Sequence, residues 1–255
     1  MEVDDLATNY NKNDLILLNT VNYSDEYPSL LIKSIMTNNN ILSKVLIKNN
    51  IGLELRRKCD NMSAFLIAIF QNNLYIAKKI YKKMHNINDV DKNNNTALII
   101  ASKYGYIDIV KYLLQNGASI NHQNKNKYTA LIYAASYNHP SIVEELINNY
   151  ANYNVCDIYN STALIYAVRN CNEAVIDILL KCKYIDIYIV DKNNYTARMY
   201  AMSSKCDVIL DKFNKIYYSR EDSEPFLNSL EYVFDKCFVS IKDFANICNV
   251  RSDFD

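Results

Sequence analysis

Glycine and proline are nearly missing from this chain, with three of each in 255 residues. So few glycines exclude a glycine-rich phosphate loop. Net charge is missing too. Lysine plus arginine number 28, as do aspartate plus glutamate, so no basic excess is available to release counterions from phosphates, and a nucleic-acid partner is not expected. No apolar run approaches the ~20 residues that span a bilayer; FLIAIF at 65–70 is far too short, and no membrane is expected among the partners. The opening MEVDDLATNY is acidic and polar and does not read as a secretory signal. The seven cysteines contain no CxxC pair, so neither a disulfide framework nor a zinc site is indicated. They are expected to be reduced thiols of an intracellular, cytoplasmic protein, most of them small apolar fillers.

The elements of catalysis are absent as well. His85, His122 and His139 stand apart in sequence, and His122 and His139 fall in expected loops, exposed and without partner ligands at useful spacing. No Ser-His-Asp or Cys-His arrangement stands out. The chain is expected to be no enzyme and to hold no cofactor and no metal. Asn94-Asn95-Thr96, Asn160-Ser161-Thr162 and Asn194-Tyr195-Thr196 spell glycosylation sequons, but each arises where a turn asparagine precedes a capping threonine by two residues.

What is present is a repeat. TALIYA occurs at 129–134 and again at 162–167, an interval of 162 − 129 = 33. Thr96-Ala97-Leu98 lies 33 residues before the first copy, Ser63-Ala64-Phe65 33 before that, and Thr196-Ala197 34 after the second; Ser29-Leu30-Leu31 is a fainter copy. A period near 33 marks a repeat array. Half the residues are hydrophobic, enough for a sizeable core. Asparagine, isoleucine, lysine and tyrosine are abundant, and their AT-rich codons account for much of that bias.

One unit reads DKNNNTALIIASKYGYIDIVKYLLQNGASINHQ, residues 91–123. Asp91 to Asn94 is turn chemistry. Thr96 is an N-cap candidate, and Ala97, Leu98 and Ala101 open a short helix that Gly105 ends. Ile109, Val110, Leu113 and Leu114 fall at helical spacing in a second helix, which Gly117 closes. Neither helix reaches the ~12–15 residues that stand alone in water, so each must stack on its neighbours.

In its spacing this unit resembles an ankyrin repeat, D-x-x-G-x-T-P-L-H-x-A-A-x-x-G-H followed by I-V-x-x-L-L-x-x-G-A. Asn94, Asn160, Asn194 and, less comfortably, Lys127 stand at the turn glycine. Ala97, Ala130 and Ala163 replace the family proline, and Ile99, Ile132 and Ile165 the family histidine; lower stability is expected, not a different fold. The expected fold is an all-α ankyrin solenoid. Its array runs over 1–218, with 1–28 a degenerate cap, 29–62 and 63–90 degenerate repeats, 91–123, 124–156 and 157–190 well-matched repeats, and 191–218 a last partial one. Residues 219–255, with apolar positions at three- and four-residue steps from Phe226 to Cys248, are expected to form a C-terminal helical cap. The asparagine-rich repeats are also similar to those of large DNA viruses, particularly giant viruses of amoebae, which would place the protein in a host cytoplasm.

The resemblance implies a function and a face. Tyr133, Tyr166 and Tyr200 occupy the family's variable position on the inner helix, toward the concave groove, and Ile100, Ile67 and Lys33 continue the line. The turn tips add Lys92, Asn93, Lys125, Asn126, Ile158, Tyr159, Lys192 and Asn193. The inner-helix ends add Lys103, Tyr104, Tyr137 and Arg169. Tyrosine suits recognition, with a rigid apolar body and a polar tip. The expectation is a monomeric protein–protein interaction module that binds a protein partner through these residues. The alternatives are that the tyrosines only pack locally, and that the chain is an adaptor whose tail, opening on Glu224-Pro225-Phe226-Leu227, recruits a ubiquitin ligase.

Overall fold

The computed structural model describes residues 29–204 and 207–219. The expected cap at 1–28 and the tail beyond 219 lie outside them, as do Cys206, Cys237 and Cys248. Among the described residues there are twelve helices in six pairs, and the β-structure consists of two isolated bridges, Arg56 with Ser63 and Val90 with Thr96. The inner helices are α1 (Leu30–Met36), α3 (Ala64–Phe70), α5 (Ala97–Tyr104), α7 (Ala130–Ser136), α9 (Ala163–Arg169) and α11 (Ala197–Ser203). The outer helices are α2 (Asn40–Lys48), α4 (Leu74–Met84), α6 (Ile107–Gln115), α8 (Pro140–Asn148), α10 (Glu173–Leu180) and α12 (Asp207–Ser219). Each inner helix packs on its own outer helix and on the inner helices before and after it. Equivalent side chains therefore recur along one row.

Hydroxyls start every inner helix. Ser29, Ser63, Thr96, Thr129, Thr162 and Thr196 each accept from the backbone amide three residues on, at 3.1–3.3 Å, which satisfies one of the orphan donors of the first turn. Pro140 opens α8 at a position where its missing N–H is not needed. The helix ends answer the scarcity of glycine. Past the inner helices, Asn38, Asn72, Gly105, Asn138 and Cys171 take positive φ, and at the turns so do Asn61, Asn94, Lys127, Asn160 and Asn194. Asparagine reaches the left-handed region at less cost than other side chains, so it does here what glycine does elsewhere. Cys171, at φ +54°, has no such aptitude. Cys171→Gly is expected to raise stability by about 1 kcal/mol in urea denaturation; no gain would mean that the strain is relieved locally.

The core lies between the two helix rows. Ile76, Ile80, Ile109, Leu113, Ile142, Leu146, Val175 and Leu179 from the outer helices are at most 2% exposed, as are Leu66, Leu98, Leu131 and Leu164 from the inner ones. Each such side chain contributes roughly 1.5–3 kcal/mol relative to exposure. The positions of the absent family histidine, Ile99, Ile132 and Ile165, are filled with core. Ser102 stands where the family pattern has its second alanine, fully buried, and among the described residues its hydroxyl has no hydrogen-bond partner. Removing an unsatisfied buried hydroxyl is favourable, so Ser102→Ala is expected to stabilise by about 1 kcal/mol, read from the denaturation midpoint.

Two sequence expectations need correction. His122 and His139 are not free on loops. His122 Nε2 lies 3.0 Å from the Asn94 carbonyl oxygen of its own unit, and His139 Nε2 3.1 Å from that of Lys103 in the preceding unit. Gly105 makes room for the second contact, because a Cβ there would lie 2.7 Å from the His139 ring. The cysteines are not mostly core fillers either: of the four described, Cys59 and Cys171 are exposed and Cys156 and Cys182 half-buried. The asparagines also tie units together at the outer loops. Asn88, Asn121 and Asn154 side chains accept from the amides of Ser119, Asn152 and Asp186 in the following unit, at 2.8, 2.8 and 3.0 Å.

Candidate partner-binding face

The turns that carry the tip residues are built from backbone and from one side-chain acceptor per unit, half-buried at Asp91 and buried at Asn124, Asp157 and Asp191. Asp91 Oδ1 accepts from the amides of Asn93 and Asn95, Asn124 Oδ1 from Asn126 and Tyr128, Asp157 Oδ1 from Tyr159 and Ser161, and Asp191 Oδ1 from Asn193 and Tyr195, all at 2.8–3.1 Å. Successive tips are then joined by single backbone bonds: Lys92 N–H to Asp60 O, Lys125 to Asn93, Ile158 to Asn126 and Lys192 to Tyr159, at 2.7–3.1 Å. Backbone holds the row, so the tip side chains need not. Lys92, Asn93, Lys125, Tyr159 and Lys192 are exposed.

The tyrosine ladder has a more structural character than its spacing suggests. Tyr133, Tyr166 and Tyr200 are half-buried, each on the inner helix nine residues after the turn acceptor of its own unit. The Tyr166 hydroxyl donates to Asp157 Oδ2 at 2.7 Å, and that of Tyr200 to Asp191 Oδ2 at 2.6 Å. The Tyr133 hydroxyl accepts from Asn124 Nδ2 at 3.4 Å. Tyr128, which the sequence reading passed over, stacks on Tyr133 with ring centres 4.9 Å apart, and its hydroxyl lies 2.6 Å from that of Tyr166. Ile100, at the same register, has no hydroxyl; in its unit Asp91 Oδ2 accepts instead from Asn95 Nδ2 at 2.9 Å. Ile100 is 6% exposed, so it belongs to the core and is withdrawn from the candidate contact surface.

The more exposed wall lies at the inner-helix ends. Tyr104 is 43% exposed and Tyr137 51%, and Tyr159, at a turn tip, 53%. Cations knit these rings across units. Lys103 Nζ lies 5.6 Å from the ring centres of Tyr104 and Tyr133 and 5.7 Å from that of Tyr137. The Arg169 guanidinium lies 5.7 Å from the Tyr166 ring and 5.4 Å from that of Tyr200, and Lys192 sits 5.8 Å from Tyr159. Cation–π contacts of this kind hold an ammonium or guanidinium at a ring face while leaving it accessible. The Asp–tyrosine link has a readable signal, the constant nine-residue interval from acceptor to ring.

Burial raises the phenol pKa of Tyr133, Tyr166 and Tyr200 above the ordinary value, and for Tyr166 the hydrogen bonds with Tyr128 and Asp157 raise it further. Burial raises that of Tyr128 as well. A phenol with a raised folded pKa stabilises fully below about pH 10 and loses that stabilisation as pH climbs toward the folded value. Alkaline unfolding above about pH 10 is therefore expected, with a subset of tyrosines ionising only as helical circular dichroism disappears. Full phenolate absorbance before any loss of helix would contradict the buried network.

Among the described residues no cluster of three or more His, Cys, Asp or Glu side chains could hold a metal ion, and no helix is long and apolar enough to cross a membrane. No curated protein matches the sequence. The ankyrin repeat family model does match, in three overlapping copies over residues 31–124, 65–157 and 119–191. That span covers more than half of the chain, and it takes in five of the six helix pairs described above: the chain belongs to the ankyrin repeat family.

Proposed function

We propose that this array binds a protein partner through the wall formed by the inner-helix ends and turn tips, with no catalytic step. Ankyrin repeats in general mediate protein–protein interaction. The observation that carries the reading to particular residues is the pair Tyr104 and Tyr137, equivalent inner-helix ends on consecutive units, with Tyr159 at a turn tip of the next unit, all at least 43% exposed. Single exposed apolar groups mean little, but several on one wall mark a contact site. Aromatic residues and arginine dominate interface energetics. Lys103 and Arg169 at the inner-helix ends and Lys92, Lys125 and Lys192 at the tips, with Asn93 beside Lys92, would favour a partner carrying carboxylates. Tyr133, Tyr166 and Tyr200 act behind these side chains, holding the cations and the turns in register.

Tyr104→Ala with Tyr137→Ala tests the proposal. Both rings are substantially exposed, so the variant should remain folded while partner affinity falls by about 100-fold in calorimetry, the effect of losing two hot-spot rings. Unchanged affinity in a folded variant would remove this wall from the mechanism.

A further inference from the structure

The outer face carries a charge asymmetry that zero net charge conceals. Helices α2 and α4 hold six lysines, Lys44, Lys48, Lys78, Lys79, Lys82 and Lys83, and no carboxylate. Helices α8 and α10 hold Glu144, Glu145, Glu173 and Asp177 and no lysine or arginine. Between α2 and α4 runs an open groove of about 440 Å³, lined by Lys44, Lys48, Lys79, Lys82, Lys83 and Tyr75. Its floor includes the buried Ile47. The Tyr75 ring is 47% exposed, with Lys44 Nζ 5.0 Å and Lys79 Nζ 5.6 Å from its centre. Among the described residues none of these five lysines forms an ion pair with a carboxylate; the described pairs are Arg56–Asp89, Arg57–Asp60 and Lys212–Asp177.

We infer that this groove is a binding site for a compact anion carrying several phosphate groups. Five ammonium groups gathered in one groove repel one another, and a ligand with clustered charge relieves that repulsion where isolated counterions do so only weakly. The volume falls in the range of small-ligand sites, which favours a compact polyanion over a protein chain or a duplex. Lysine binds phosphate as a mobile point charge, and every cationic side chain lining the groove is a lysine. The acidic stretch of the same row, at α8 and α10, repels anions and directs them to this groove. The site lies on the outer helices, apart from the inner wall proposed above, and does not depend on that wall binding a partner.

Inositol hexakisphosphate, added to the full chain at physiological salt, is the probe, with binding read by calorimetry and by thermal unfolding. One-to-one binding and a raised Tm are expected, with affinity falling as salt rises. Lys79→Glu with Lys83→Glu, both exposed, is expected to lower affinity by about 100-fold, while Lys111→Glu with Lys181→Glu leaves it unchanged. A second arm uses phosphatidylcholine vesicles with and without phosphatidylinositol bisphosphate. Sedimentation with the phosphorylated vesicles assigns the phosphates to a lipid headgroup, and binding of the free probe alone assigns them to a soluble ligand; either supports the site. Three results would overturn it: no binding at physiological salt, equal loss in both lysine variants, or polyglutamate bound as tightly as the probe, which would make the groove a docking site for acidic protein.

Discussion

Asp157→Ala is expected to destabilise the array by about 3 kcal/mol, the range for stripping a buried acceptor from several donors at once. Asp157 is 4% exposed. Its Oδ1 accepts from the amides of Tyr159 and Ser161, and its Oδ2 from the Tyr166 hydroxyl. Alanine would leave two turn amides and one half-buried phenol without their acceptor. It would also cut the connection from the tip to the inner helix, and through Tyr166 to Tyr128 of the preceding unit. Asp157→Asn separates hydrogen bonding from charge. Asn124 occupies the equivalent place one unit earlier and accepts from both turn amides through Oδ1 at 3.0 and 2.9 Å. The asparagine variant is therefore expected to cost only about 1 kcal/mol. Urea denaturation of the two variants beside the parent measures both. A loss under 0.5 kcal/mol in the alanine variant would mean that water replaces the acceptor without penalty.

Leu131→Ala is expected to cost a similar amount, about 3 kcal/mol, and to change the form of the transition. Leu131 is 2% exposed on α7, which packs against α5 on one side and α9 on the other. The cavity would thus weaken the stack in its middle. Stability in a linear array is the sum of unit terms and nearest-neighbour terms, so a weak central unit uncouples its flanks. Unfolding followed by circular dichroism should broaden or separate into two steps, and amide exchange should quicken first around α7 and α8. Leu31→Ala in α1, whose side chain is fully buried as well, should cost as much locally without splitting the transition. A single sharp transition in both variants would show coupling longer in range than neighbouring units.

The sequence made the repeat legible because stacking demands the same residue kinds at the same intervals. The capping hydroxyls, the apolar positions of both helices and the left-handed turn residues each recur near every 33 residues, and each carries a local physical reason. The family match over 31–191 and the six helix pairs bear out the all-α repeat fold. What spacing could not convey was the division of labour among the tyrosines. A period places Tyr133 and Tyr137 on one helix alike, but whether a ring contributes to support or to surface depends on neighbours from two units. Tyr128 and Asp157 reach Tyr166 from the turns, and Lys103 crosses to Tyr133 and Tyr137 from the unit before. Ile100 failed as a surface position for the same reason: without a hydroxyl to anchor near the turn, it packs inward. The histidines were misread because their partners are backbone carbonyls, which leave no trace in residue identity.

The most direct measurement places a photo-crosslinking side chain, one at a time, at Tyr104, Tyr137 and Tyr159 and, as a second set, at Lys111, Glu144 and Asp177 on the outer helices. The first two positions are inner-helix ends and the third a turn tip of three successive units, and on the proposed reading each should capture the same protein, whereas the outer set should not. Capture of a partner from the outer set, with none from the tyrosine positions, would contradict the assignment of this wall as the interaction surface.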